Sequence, residues 1–157
     1  MNDNIWFNTQ TQVVVFDKKR KEFVMVSPEG QIAPATNSVF LEMEPYSETE
    51  MLLFTNDEVK TIRYLDPEHI EQKLIHKRKP SDEFFKSFVV DRNSHIWYIT
   101  KDHLAKWNPK SGEKRIYTES DGIISSDLHS LFLDNHGRIF ITTLNGLTWF
   151  LPNEIQD

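Results

Sequence analysis

The chain has 157 residues, of which 38% are hydrophobic and 12% aromatic, and its formal net charge at pH 7 is −6. This composition can build a folded core, and the negative charge argues against a nucleic-acid partner. The absence of cysteine excludes disulfides, cysteine-based zinc sites and a thiol nucleophile. The first residues lack the pattern of a signal peptide, and no apolar run is long enough to span a membrane, so we expect no direct membrane contact.

Four short segments that end in threonine recur along the chain and predict one strand of a repeat, strand B. They are Ile5–Thr9, Met51–Thr55, Ile96–Thr100 and Ile139–Thr143. The threonines lie about 45 residues apart, a period that indicates a repeat architecture.

A second pattern precedes strand B and predicts strand A: a serine, three apolar residues and an acid. It occurs at Ser38–Glu42, Ser87–Asp91 and Ser130–Asp134. Because the three apolar residues do not alternate with polar ones, we expect both faces of strand A to be buried. The acids Asp91 and Asp134 are interpreted as formers of the A–B turn, in which Gly137 suits a position with positive φ.

Strands C and D follow each threonine. Strand C is predicted at Val13–Asp17, Val59–Asp66, Leu104–Asn108 and Leu147–Leu151, and strand D at Phe23–Val26, Gln72–His76 and Lys114–Tyr117. Four antiparallel strands in each unit are typical of a β-propeller blade. The sequence therefore predicts an all-β fold of about 14 strands, a partial β-propeller of about 3.5 four-stranded antiparallel blades that is incomplete at both ends. We expect a single propeller segment over residues 1–157, with repeat units at about 1–37, 38–86, 87–129 and 130–157.

The repeat pattern is most specific in the residues from Asp121 to Asn153. Matching positions are Gly122, Ile123, Ser125, Asp134, Gly137, Ile139, Thr143, Gly146, Leu147 and Phe150. In this pattern the chain resembles the two-component regulator propeller repeat, and the third unit resembles it nearly as well. The first two units depart from the pattern: the second lacks both the glycine turn and the tryptophan.

The resemblance implies a function in signalling. Such repeats typically form the extracytoplasmic sensor of hybrid two-component regulators, many of which recognise oligosaccharides. It implies a periplasmic location and a ligand-sensing, non-catalytic role, with the kinase activity of the family outside this chain. The rest of the parent sensor, or a second copy of the chain in a homodimer, would complete the propeller.

The sequence contains none of the common catalytic motifs for a nucleophilic serine, a phosphate-binding loop or a zinc protease. Its six histidines are scattered, and no two have a spacing that places ligands on one face of a regular element. We therefore predict no catalytic residue, no metal ligand and no cofactor.

The candidate ligand site follows from the register. Strand A lines the axis of a propeller, so the polar residues before it should converge at one mouth of the channel. These residues are Asn37, Lys86, Ser125, Ser126, Asp127 and His129. Mixed donors and acceptors suit sugar hydroxyls. The alternative is that they only solvate the rim.

The tryptophans could stack on sugars, but Trp6, Trp97 and Trp107 occupy periodic strand positions that favour packing between blades. Trp149 lies one position off that register. Two other functions stay open: a propeller enzyme of the streptogramin-lyase type, which places a histidine and a glutamate on one face, and a protein-interaction propeller without a small ligand.

Overall fold

The computed structural model describes residues 4–9, 12–26, 40–55, 57–79, 85–123 and 127–155. The chain divides into two compact units, Met1–Pro80 and Ser81–Asp157. The strands of the first unit are β1 (Ile5–Asn8), β2 (Val13–Asp17), β3 (Glu22–Val26), β4 (Phe40–Pro45), β5 (Met51–Thr55), β6 (Glu58–Asp66) and β7 (His69–Lys77). Those of the second are β8 (Ser87–Val90), β9 (Ile96–Ile99), β10 (Leu104–Trp107), β11 (Lys114–Tyr117), β12 (Leu128–Leu133), β13 (Ile139–Thr143) and β14 (Gly146–Phe150).

Neighbouring strands in the sequence pair with each other, so the described residues form four antiparallel sheets. Sheet 1 contains β1–β3, sheet 2 contains β4–β7, sheet 3 contains β8–β11 and sheet 4 contains β12–β14. The predicted order of strands A to D is confirmed in the two four-stranded sheets. The B-C-D and A-B-C orders of the first and last sheets are confirmed as well.

The core of the first unit lies between sheets 1 and 2. β2 alternates strictly: Val13 and Val15 are fully buried, whereas the residues between them are half-buried. The buried valines pack with Leu53 and Ile62 of sheet 2. The Tyr64 hydroxyl of sheet 2 donates a buried hydrogen bond of 3.0 Å to Asp17 Oδ2 of sheet 1. This bond joins the two sheets and satisfies the polar atom of the buried ring.

The core of the second unit lies between sheets 3 and 4 and centres on Trp97, which is fully buried. Its ring stacks on Tyr117 of its own sheet, with centroids 5.6 Å apart, and lies 5.1 Å from the ring of Phe150 in sheet 4. Ile139 and Ile141 complete the sheet 4 side. The packing role predicted for Trp97 is confirmed.

Acidic side chains close the two described A–B turns of the second unit. Asp91 Oδ1 accepts from the backbone N–H groups of Asn93 and His95, at 2.8 and 3.0 Å. Its Oδ2 accepts from the Trp97 indole N–H at 2.9 Å. The interpretation of Asp91 as a turn former is confirmed, and the same carboxylate also satisfies the one polar atom of the central core ring.

Asp134 closes the equivalent turn in sheet 4. Its Oδ1 accepts from the backbone N–H groups of His136 and Arg138, and its Oδ2 from the Arg138 guanidinium at 2.7 Å. Burial disfavours its charge, but these donors outweigh burial and hold the pKa of Asp134 below its usual value. Gly137 has φ +81°, as predicted, and Ser94 takes the same left-handed position in the sheet 3 turn with φ +62°.

Two expectations for strand A fail in sheet 4. All four residues of β8 are buried, as predicted, but Phe132 in β12 is 64% exposed. Phe132 lies on the face of sheet 4 turned away from sheet 3, where none of the described residues covers it. The strand also begins at Leu128, two residues before the predicted serine, because a bulge between Leu128 and Ser130 extends the pairing with β13.

The two turn acids differ in what they satisfy, and this difference predicts different stabilities for their variants. Asp91→Ala leaves a buried indole N–H without an acceptor, so we expect the free energy of unfolding to fall by about 2–4 kcal/mol. Asp134→Ala exposes donors that reach water and should lower stability less. Chemical denaturation followed by tryptophan fluorescence measures both, and equal losses would contradict the special role of Asp91.

Glu44 in β4 gives stability a dependence on pH. Its burial, together with repulsion from neighbouring Glu42, raises the pKa of Glu44 to about 7. The folded state therefore favours the protonated form, and the stability that this form supplies is complete below the ordinary pKa of 4.5 and is lost as pH rises through about 7.

We expect Glu44→Gln to remove this dependence. The free energy of unfolding of the wild type should fall by on the order of 1 kcal/mol from pH 4.5 to pH 7.5, a value reduced by solvent screening of a partly exposed group. The Glu44→Gln variant should show a flatter profile. Glu48→Gln, in the exposed turn after β4, is the control and should keep the wild-type slope.

Candidate functional site

Three of the six predicted site residues lie at one end of the second unit, where β8 and β12 begin. We call this the entry end. Lys86 directly precedes β8, and its backbone N–H donates to the Ile99 carbonyl at 2.9 Å, which fixes its position at the end of the sheet. Its Nζ donates to the Leu128 carbonyl at 3.0 Å and so reaches from sheet 3 to the first residue of β12.

Asp127 and His129 flank Leu128 on β12. Leu128 is fully buried, whereas His129 is exposed and Asp127 is half-buried. The His129 Nε2 lies 3.8 Å from Asp127 Oδ1, and the two side chains are about half exposed. The lysine bond to the intervening carbonyl therefore brings an ammonium, a carboxylate and an imidazole to the same end of the unit.

A pair of hydroxyls continues this surface along sheet 4. Ser130 Oγ and Thr142 Oγ1 lie 2.7 Å apart, and the Ser130 backbone N–H donates to Thr142 Oγ1 at 3.1 Å. Both residues are exposed. In the sequence pattern, Ser130 only marks the start of strand A, and Thr142 was not identified as a site residue. The doublet Thr142-Thr143 was the available signal, because only the second threonine occupies the repeated position.

The other three predicted residues, Asn37, Ser125 and Ser126, lie outside the described residues. The grouping of Lys86, Asp127 and His129 at one end agrees with the register argument. Their binding of a ligand stays a prediction.

A second polar cluster lies at the opposite end of the same strands, between the A–B turns of sheets 3 and 4. The Arg92 guanidinium donates to the Asn135 carbonyl at 2.7 Å, and the Asn93 amide donates to the Asn153 side chain at 3.2 Å. A small open cleft lies against these turns. The contacts join successive turns to each other, so we infer that this cluster helps to hold sheets 3 and 4 together.

The histidine at the sheet 3 turn also has a structural role. The His95 side chain is only 22% exposed, and its Nδ1 lies 3.3 Å from Asp91 Oδ2. Among the described residues, no group of three or more histidines and acids is arranged to hold a metal ion. No helix in that part of the chain has the length and apolar character needed to cross a membrane.

The fold is shared with extracellular domains of two-component systems. Over its whole length the chain superposes on the extracellular domain of a B. thetaiotaomicron protein described as hybrid two component system BT3049, with a TM-score of 0.66 and 17% identity. Over 98% of its length it superposes on the corresponding domain of BT4673 from the same organism, with a TM-score of 0.58 and 17% identity. The chain spans only about a fifth of these domains, 22% and 20% of their lengths.

An enzyme has the same fold. Virginiamycin B lyase from Staphylococcus aureus matches 99% of this chain, which covers 54% of the lyase, with a TM-score of 0.57 and 11% identity. No family model matches the sequence, and no curated protein does. At these identities the likeness shows the fold: the chain is all-β, a partial β-propeller. The predicted fold class is confirmed, and so is the resemblance to the sensor propellers at the level of fold.

The lysine contact at the entry end gives a direct prediction. Lys86→Met removes the bond to the Leu128 carbonyl, so we expect the free energy of unfolding to fall by about 0.5–1.5 kcal/mol. The Leu131 backbone N–H, which donates to Ser87 Oγ at 3.2 Å across the same two sheets, should exchange with solvent faster. Lys110→Met, in the exposed turn before β11, is the control and should change neither quantity.

Proposed function

We propose that this chain is a ligand-sensing propeller segment of a hybrid two-component regulator, without catalysis of its own, and that its ligand is an oligosaccharide. The observation that supports this most is the group of polar side chains at the entry end, on a fold shared with extracellular domains of two-component systems. The proposal places the chain in the periplasm, with the rest of the parent sensor or a second copy of the chain as its partner.

The chemistry of the entry end suits a neutral, polyhydroxylated ligand. Lys86 supplies donors, Asp127 supplies acceptors, and His129 can do either, while the hydroxyls of Ser130 and Thr142 do both. The half-exposure of Asp127 and His129 leaves these groups within reach of a ligand. A sugar presents a complementary set of hydroxyl donors and acceptors.

An enzyme of the lyase type is the second candidate, and the virginiamycin B lyase match is the observation in its favour. A shared fold does not transfer an activity. Turnover of a streptogramin that depends on added divalent metal would support the enzyme in place of the sensor, and loss of that turnover in His129→Ala would locate the activity at the entry end.

Thermal unfolding against a panel of oligosaccharides tests the sensor proposal. We expect one class of glycan to raise the melting temperature of the wild type. His129→Ala and Asp127→Asn should weaken its binding about tenfold each, which corresponds to the loss of about 1.4 kcal/mol. His136→Ala, an exposed histidine at the opposite end of the strands, is the matched control and should bind as the wild type does.

The outcomes separate the candidates. Binding that is weakened equally by His129→Ala and His136→Ala would place the ligand elsewhere than the entry end. No shift with any glycan would contradict the oligosaccharide proposal and favour a propeller that binds protein.

A further inference from the structure

The terminal sheets each expose an apolar face. On sheet 1, the face turned away from sheet 2 contains Ile5, Phe7, Val14, Phe16, Phe23 and Met25, and we call it the sheet 1 outer face. Phe23 is 68% exposed and Phe7 is 45% exposed. Their rings lie 6.1 Å apart, and the Phe16 ring lies 4.9 Å from that of Phe23. The aromatic side chains thus form one continuous surface instead of scattered contacts.

The sheet 4 outer face, turned away from sheet 3, contains Phe132, Phe140, Leu147 and Trp149, with Ser130 and Thr142 at its entry-end edge. Phe132, Leu147 and Trp149 are 64%, 59% and 52% exposed. Phe132, Phe140 and Trp149 are direct cross-strand neighbours, so the three rings form a row across the sheet with centroids 6.3 and 6.5 Å apart. The Arg138 guanidinium lies over both Phe140 and Trp149 at 5.4 Å.

Within the second unit, a row of residues at equivalent positions in sheet 3 is buried in an interface. Phe140 is the second residue of strand B in sheet 4, as Trp97 is in sheet 3. In sheet 3 the row is Val89, Trp97 and Lys106. The lysine lies over the Trp97 ring at 5.7 Å, much as Arg138 lies over Phe140. That row is covered by sheet 4, and the exposure of Trp97 falls to 0%.

The side of sheet 4 that covers Trp97 presents the first and third residues of its strand B, Ile139 and Ile141. The sheet 1 outer face presents the same two positions, Ile5 and Phe7. The sheet 4 outer face therefore corresponds to the sheet 3 side of the interface between sheets 3 and 4, and the sheet 1 outer face corresponds to the sheet 4 side. The two outer faces are thus complementary in the same way.

We propose that the two outer faces dock on each other between copies of this chain, head to tail, with sheet 4 of one copy packed on sheet 1 of the next. Both faces are apolar except for the hydroxyls of Ser130 and Thr142 at one edge of the sheet 4 face. Each copy has one face of each kind, so every copy can serve as donor and as acceptor. Two copies that dock through both faces bring together eight sheets, within the range of about four to eight blades typical of propellers. A head-to-tail contact that does not close instead gives a growing chain of copies.

Sedimentation velocity on the full chain across the micromolar range tests the proposal. We expect association that rises with concentration. Phe132→Glu on the sheet 4 outer face and Phe23→Glu on the sheet 1 outer face place a charge in the contact, so each should raise the dissociation constant by about tenfold or more. Leu144→Glu and Leu74→Glu, exposed apolar residues outside both faces, are the controls and should associate as the wild type does.

Mixing the two face variants tests the head-to-tail geometry. Each alone lacks one half of the interface and should be monomeric, whereas a mixture retains one intact pair of faces and should form a complex of two chains that does not grow. Circular dichroism checks that each variant is folded. A wild type that stays monomeric overturns the proposal, and so does a Phe23→Glu variant that still self-associates, because sheet 4 would then pair with itself.

Discussion

Side-chain oxygens at the ends of several strands close the turns that follow, and the alignment of successive strands depends on them. After strand B this oxygen is a threonine hydroxyl: Thr9, Thr55 and Thr143 each accept a backbone N–H from the next turn, at 3.0, 3.0 and 3.1 Å. After strand A in the second unit it is an aspartate, Asp91 or Asp134. A strand that ends one residue early or late would present its apolar side chains to the wrong face, so these turns decide which residues are buried.

The same device ends strand C. Asp17, Asp66 and Asn108 each accept two backbone N–H groups from the residues that follow. For Asp17 the Arg20 backbone N–H is the largest influence and, with the Tyr64 hydroxyl, holds the pKa of the carboxyl below its usual value against the effect of burial. Since this carboxylate also binds Tyr64 of the next sheet, one group both closes a hairpin and joins two sheets.

The strands could be predicted from the sequence because this turn chemistry is local. Strand boundaries such as Met51–Thr55, Val13–Asp17 and Lys114–Tyr117 follow from the period and the turn residues alone. The exposure of Phe132 could not be predicted this way. Its position in the repeat is the one buried in sheet 3, and whether that position is covered depends on a neighbouring sheet, which no local pattern records.

The candidate site, like the strands, could be predicted from the sequence only in part. The register placed Lys86, Asp127 and His129 at one end, because all three precede or begin strand A. It could not give the bond from Lys86 to the Leu128 carbonyl, since that bond joins two sheets and a local pattern does not record how neighbouring sheets pack. Thr142 was missed because the register shift between Leu128 and Ser130 pairs Ser130 with Thr142 and brings its hydroxyl to the Ser130 backbone N–H.

A position in this repeat therefore has no fixed role. The second residue of strand B is core in Trp97, which packs against sheet 4, and lies in an exposed aromatic row in Phe140. Aromatic rings that pack between sheets are also flat, apolar surfaces on which a sugar could stack. The arginine over Phe140 and Trp149 argues for packing, because a cation, Lys106, also lies over the buried Trp97 ring inside a formed interface. The proposed ligand is therefore better sought among the polar groups at the entry end than on the exposed tryptophan.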